Sequence, residues 1–242
     1  MKVIICRSKK EMELIVASVV VREIKRKSNL VLGLATGETM IGFYRTLISL
    51  YRKNRVSFSR VRTFNLDEYV GVGRKDKTSY WYYMDKNFFR KVDINEKNVY
   101  FLDGLAKNGV KECKDYEKNI DNMGGIDLQI LGIGENGHIG FNEPGSSFIS
   151  KTREVVLSED TRKVNSRFFS DDFRKVPKRA MTMGIGTIMD SKKIILLASG
   201  SRKAKAVYEV LRERISRDVP ASVLRKHKNV NFILHKSAAQ IL

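Results

Sequence analysis

Two residues of proton-transferring type and one hydrogen-bonding amide stand close together in the stretch Leu131-Gly-Ile-Gly-Glu-Asn-Gly-His-Ile-Gly-Phe-Asn-Glu-Pro144. They are an amide, Asn136, an imidazole, His138, and a carboxylate, Glu143, set among Gly132, Gly134, Gly137 and Gly140. The glycines allow sharp turns and close backbone approach to a ligand. A carboxylate hydrogen-bonded to an imidazole fixes its tautomer and raises its basicity, which suits a proton shuttle near neutral pH. A second acid source lies in Thr63-Phe-Asn-Leu-Asp-Glu-Tyr-Val70, where Asp67 and Glu68 follow an apolar run and precede the aromatic-rich Tyr80–Tyr83. Their position makes one of the two acids a candidate general base. His227 and His235 lack any such frame and are read as structural. No HxH, HExxH or CxxC spacing accompanies His138, so no metal is expected.

Two other turns suit an anion. Leu32-Gly-Leu-Ala-Thr-Gly-Glu-Thr39 ends a strand-like run in a Thr/Gly turn that opens a helix, offering Thr36, Gly37 and Thr39. Ala198-Ser-Gly-Ser-Arg-Lys203 repeats the plan and adds the cation of Lys203. Unpaired N–H groups and the dipole at a helix start favour a phosphate, although Ser and Thr also serve there as plain helix caps. Gly132-Ile-Gly-Glu-Asn-Gly137 formally matches the dinucleotide fingerprint GxGxxG. Gly140, Pro144 and Gly145 block the helix that fingerprint requires, so a nicotinamide cofactor is not expected.

The elements that must position these residues alternate along the chain. Strand-like runs occur at 3–5, 30–34, 61–66, 99–102, 128–133, 154–157, 194–198 and 230–234. Helical stretches span 8–27 (capped by Ser8, with Met12, Ile15, Val16, Val19 and Val20 turned inward), 38–53, 79–92, 110–123 and 201–217. Such alternation predicts a mainly parallel sheet covered on both faces, with ligands at the C-terminal strand ends. The region 151–179 shows no clear pattern and is expected to be a lid.

With 242 residues, 3 prolines and no Ser/Gly linker, the chain is expected to form a single domain over 1–242. No apolar stretch is long enough to cross a membrane, and the first residues lack a signal-peptide core. Cys6 and Cys113, far apart, fit reduced thiols and a cytoplasmic location. The net charge of +19 raises nucleic acid as a partner. The basic residues are spread through nearly every helix rather than gathered in a stripe, so a solvated surface is expected instead.

Phe64-Asn-Leu-Asp-Glu-Tyr-Val-Gly71 and Gly132-Ile-Gly-Glu-Asn-Gly-His-Ile-Gly-Phe-Asn-Glu-Pro144 resemble the two signatures of the glucosamine-6-phosphate deaminase family. Leu32-Gly-Leu-Ala-Thr-Gly and Gly200-Ser-Arg-Lys-Ala204 resemble its phosphate turns, and Asn165-Ser-Arg-Phe-Phe169 and Val219-Pro-Ala-Ser-Val-Leu224 follow in order. The related 6-phosphogluconolactonases share the GxGxxGH frame but not the Phe-Asn-Glu-Pro continuation. The resemblance implies a modified Rossmann-like three-layer α/β sandwich with a lid at about 158–180. It also implies conversion of glucosamine 6-phosphate and water to fructose 6-phosphate and ammonia without a cofactor. His138 would open the sugar ring, tuned by Glu143 and Asn136. Asp67 would carry the proton from C2 to C1. Thr36, Gly37, Thr39, Arg167 and Lys203 would hold the phosphate.

The alternatives are a sugar-phosphate-sensing regulatory domain, which would have no need of Asp67, His138 and Glu143, and a lactonase-like hydrolase. Some features depart from the family pattern. Glu38 stands where a small residue is usual and Met40 where Pro is common. An acid beside a phosphate is unfavourable unless its side chain points away. Asn136 replaces the Asp of some members. Val155 stands where allosteric members carry Lys, two residues after the matching Arg153, and the chain stops short of the extension of regulated hexamers. Hyperbolic kinetics in a monomer or small homo-oligomer are expected.

Overall fold

Apolar runs without helical period become the strands of one sheet. The computed structural model describes residues 1–242. Its elements run β1 (Lys2–Cys6), α1 (Lys9–Arg26), β2 (Val31–Leu34), α2 (Glu38–Arg52), β3 (Arg62–Asn65), β4 (Asp67–Tyr69), α3 (Tyr80–Asn87), β5 (Val99–Tyr100), α4 (Gly109–Asn122) and β6 (Leu128–Leu131). There follow β7 (Arg153–Val156), α5 (Glu159–Asn165), β8 (Arg179–Thr182), α6 (Ile185–Met189), β9 (Ile194–Ala198), α7 (Ala204–Arg212) and β10 (Val230–His235). Seven strands form a wholly parallel sheet in the order β1-β10-β9-β6-β2-β3-β5. The inner strands β2, β6 and β9 are buried along their whole length, while three of the five residues of edge strand β1 are exposed. Continuous apolar strands of this kind require cover on both faces. On one face α1 and α2 pack side by side, α1 burying Met12, Val16 and Val20 and α2 burying Met40, Phe43, Tyr44, Leu47 and Ile48, while α4 buries Cys113, Tyr116 and Ile120. Ile15 and Val19 are only half-buried.

Two expected helices are shorter than their sequence patterns. The one over 79–92 ends at Asn87 and gives way to a 3₁₀ turn at Phe89–Lys91. The one over 201–217 is a 3₁₀ turn, Ser201–Lys203, followed by α7, which stops at Arg212.

A second, antiparallel sheet of order β4-β8-β7 was not expected. The chain leaves the main sheet at Leu66, whose N–H donates to Leu34 O of β2 at 3.1 Å while its carbonyl accepts from Met183 N at 2.6 Å. The acids expected at the end of the 61–66 strand therefore begin a strand of their own. The patternless region contains β7 and α5, the latter capped by Ser158, whose Oγ accepts from Thr161 N at 3.2 Å. Phe169 and Val176 of this region pack with Tyr69, Phe141 and Leu157 in a small core of their own. No helix is long and apolar enough to cross a membrane.

Candidate active site

Strand order decides where the chemistry meets. β9, β6, β2 and β3 are successive neighbours running in parallel. The segments leaving their C-terminal ends gather along one edge, the usual ligand position in such sheets. These segments line one cavity of about 1070 Å³. Thr36, Gly37, Thr39, Asp67, Asn136, His138, Arg167 and Lys203 all line it, while Glu143 lies behind His138.

Alternation along β4 separates the two acids. Asp67 is buried and borders the cavity, and burial together with the charge of Glu68 pushes its carboxyl up to about 8. Gly140, at φ +58, lets the loop after β6 approach this carboxyl: a Cβ there would sit 3.4 Å from Asp67 Oδ2 and 2.9 Å from Thr182 Oγ1. Glu68 does not border the cavity. Its carboxylate accepts N–H bonds from Tyr69 (2.9 Å), Tyr80 (3.1 Å) and Trp81 (3.0 Å), so it caps α3 and ties that helix to β4. Burial still pushes it up to about 7, against the pull of those amides. Of the two acids, only Asp67 can face a ligand as a base.

The imidazole of His138 packs flat against Gly134, where a Cβ would lie 2.3 Å from Cε1. His138 N–H donates to Asn136 Oδ1 at 3.2 Å, and its carbonyl accepts from Gly134 N at 2.9 Å. Its Nδ1 is buried without a hydrogen-bond partner, 4.0 Å from Glu143 Oε2. Burial holds the imidazole below its ordinary value, Glu143 partly opposing and Lys203 adding to the effect, so the ring is neutral at pH 7. Glu143 is itself held: Oε2 accepts from Asn136 Nδ2 at 3.0 Å, and Oε1 accepts from Thr161 Oγ1 and from Ser158 Oγ at 3.3 Å. Thr161 and Ser158 were not foreseen as site residues. The Ser158 cap before Glu159 was a readable helix start, but nothing in the sequence connects it to Glu143.

Two helix starts flank the opposite end. Gly37, at φ +108, opens α2 with no side-chain cap, and its carbonyl accepts from Tyr83 Oη at 2.7 Å. Gly200, at φ +100, opens the second turn, and its N–H donates to Ser237 Oγ at 3.0 Å. Thr39 Oγ1 joins the turns, lying 3.4 Å from both Ser199 Oγ and Lys203 Nζ. Burial pushes Lys203 down to about 8. Arg167, from the segment after α5, reaches this end but donates from Nη1 to Glu38 Oε2 at 3.1 Å. The Glu38 side chain thus turns toward a cation of the site, not away from it. Arg153 donates to Asn142 Oδ1 at 2.9 Å and braces the loop after His138, whereas its neighbour Glu154 pairs with Arg179 at 2.7 Å. Nowhere do three His, Cys, Asp or Glu side chains converge as metal ligands would.

A parallel α/β sheet with a buried carboxyl, an imidazole–carboxylate pair and two glycine-opened helix starts at one edge has the architecture of a sugar-phosphate enzyme. Residues 8–233 match the family model of glucosamine-6-phosphate isomerases/6-phosphogluconolactonase, and the chain belongs to that family. Within it, the chain is 48% identical over 242 residues to a glucosamine-6-phosphate deaminase of Clostridium acetobutylicum, covering all of both chains. It is 49% identical to the deaminase of Oceanobacillus iheyensis, over 99% of this chain and 96% of that one. A solved monomeric glucosamine-6-phosphate deaminase superposes with a TM-score of 0.98 at 45% identity, covering all of both chains. A 6-phosphogluconolactonase from Trypanosoma cruzi shares the fold at a TM-score of 0.77 and 24% identity, over 100% of this chain and 96% of that one.

Proposed function

We propose that the protein converts glucosamine 6-phosphate and water to fructose 6-phosphate and ammonia. The observation that carries this reading is that one cavity holds a raised carboxyl, Asp67, a neutral imidazole backed by a carboxylate, and the cations Lys203 and Arg167. Lys203, Arg167 and the amides of Thr36 to Thr39 bind the phosphate and so fix the sugar relative to Asp67 and His138. Neutral His138 accepts the O1 proton and returns it to the ring oxygen as the C1–O5 bond breaks, leaving the C1 aldehyde. Glu143 stabilises the imidazolium formed in between, and Asn136 and Thr161 hold Glu143 in place. Asp67 takes the C2 proton while a proton of the substrate's ammonium passes to O1, giving an enolamine. Asp67 then delivers its proton to C1, leaving a C2 iminium. Water then attacks this C2 iminium, and ammonia leaves.

The segment 158–180 serves as the lid of a single catalytic domain, since it carries Arg167 and contributes Thr161 to Glu143. The monomeric relative supports a monomer or small oligomer, and Val155 in place of a lysine supports hyperbolic kinetics without an anionic activator. The free, buried Cys6 and Cys113 fit a cytoplasmic enzyme.

Incubation of purified protein with glucosamine 6-phosphate is expected to release fructose 6-phosphate and ammonia in equal amounts. Hydrolysis of 6-phosphogluconolactone without ammonia release from the amino sugar would place the activity with the other branch of the family.

A further inference from the structure

The phosphate end of the cavity carries its own carboxylates. Glu38, first residue of α2, accepts from Arg167 at 3.1 Å, and Glu135 lies 3.2 Å from Arg202. Lys203 stands among all four, its ammonium favoured by Glu135 and Glu38 and disfavoured by Arg167 and Arg202. Glu38 is also well placed in its helix, because an acid in the first turn interacts favourably with the helix dipole. A phosphate at this end would draw on the same two attractions: the start of α2 and the guanidinium of Arg167. The carboxylate is nevertheless free to leave. Its side chain is 71% exposed, that of Arg167 is 39% exposed, and exposed pairs of this kind are weak.

We propose that Glu38 is a displaceable stand-in for the substrate's phosphate, holding Arg167 and the lid against α2 until a phosphate takes Arg167 from it. The proposal deepens the function above and takes its phosphate end as given. Glu38 then sets the selectivity of the site. A doubly charged phosphate with three acceptor oxygens, reaching Lys203 and the turn amides together, outcompetes a single exposed carboxylate, whereas a weakly held singly charged anion does not. The cost of the exchange appears as a KM higher than the cradle alone would give. Thr39, Lys203 and the uncapped start of α2 provide the gain that exceeds it.

Calorimetric titration of inorganic phosphate into wild type, Glu38→Gln, Arg167→Ala and the double variant tests the exchange without turnover. Glu38→Gln is expected to bind phosphate roughly two- to five-fold more tightly at low salt, the range set by an exposed ion pair. The gain should shrink as salt is raised. In the Arg167→Ala background the same substitution should lose at least half of its gain, because the competition is for Arg167. Unchanged or weaker phosphate binding by Glu38→Gln would overturn the proposal. So would an undiminished gain without Arg167, which would reduce Glu38 to bare repulsion, or no phosphate binding by any variant. If the titrations behave as expected but no ammonia is formed from glucosamine 6-phosphate, the proposed activity fails and the role of Glu38 stands. Ammonia formation with no gain in Glu38→Gln gives the reverse.

Discussion

His138 Nδ1 lies 4.0 Å from Glu143 Oε2, about an ångström beyond a hydrogen bond, while that carboxylate is already fixed by Asn136 and Thr161. A shift of one ångström on substrate binding would complete the pair, and catalytic hydrogen bonds often tighten only in the complex. His138→Gln is therefore expected to cripple ring opening while leaving Asp67 competent. A substrate analogue already in open-chain form should recover part of the lost rate, measured as product formation with each variant. Failure to recover any rate would remove His138 from ring opening.

The segment 158–180 reaches the same pair through Thr161. Thr161→Val keeps the shape of the side chain but withdraws the donor from Glu143 Oε1. The expected result is a fall in kcat of roughly ten-fold, the scale of one charge-assisted hydrogen bond, with a smaller change in KM. Thr161→Ser should restore most of it. An unaltered kcat in Thr161→Val would show that the contact only holds the segment 158–180 in place.

The pH profile follows from two groups pushed to about 8 from opposite sides. Asp67 is raised by burial and must be ionised to act as base, so kcat/KM should climb with pH towards 8. Lys203 is lowered by burial and must be protonated to bind phosphate, so kcat/KM should fall above 8. The profile should be a narrow bell centred near 8. Lys203→Arg keeps its charge throughout this range and should lose the falling limb. A falling limb that persists unchanged in that variant would assign it to another group.

Asp67 also makes activity and stability oppose each other. Its carboxyl is raised from 3.8 unfolded to about 8 folded, so its protonated form favours the fold. That stability is fully present below pH 3.8 and is lost progressively as pH rises through about 8. Asp67→Asn never ionises. Its denaturation midpoint should gain on wild type as pH goes from 4 to 8. A pH-independent difference between the two would contradict the raised carboxyl.

The main sheet and the gathering of the candidate residues at one cavity were legible in the sequence because β2, β6 and β9 are uninterrupted apolar runs ending in glycine turns. The second sheet was legible only in β7, which the run at 154–157 marked. Its other strands, Asp67-Glu-Tyr69 and Arg179-Ala-Met-Thr182, are short and lack alternation, and the Leu66–Met183 hydrogen bond joins their ends to the main sheet. α5 was missed for a similar reason, since Glu159–Asn165 contains a single aliphatic residue, Val164, and half of that side chain is exposed. Glu68 could not be separated from Asp67 by composition. Only the fold shows that three backbone amides occupy it. The Glu38–Arg167 pair joins residues 129 positions apart, beyond the reach of any local pattern.

Asp67→Asn, assayed for ammonia release at saturating glucosamine 6-phosphate, tests the central assignment most directly. The substitution keeps shape and hydrogen bonding but removes the base at the start of β4. The rate should fall by at least ~10²–10⁴-fold, with substrate affinity measured by calorimetry nearly intact. Retention of ammonia release within ten-fold of wild type would contradict the account, because Asp67 is the buried carboxyl that Gly140 of the His138 loop approaches.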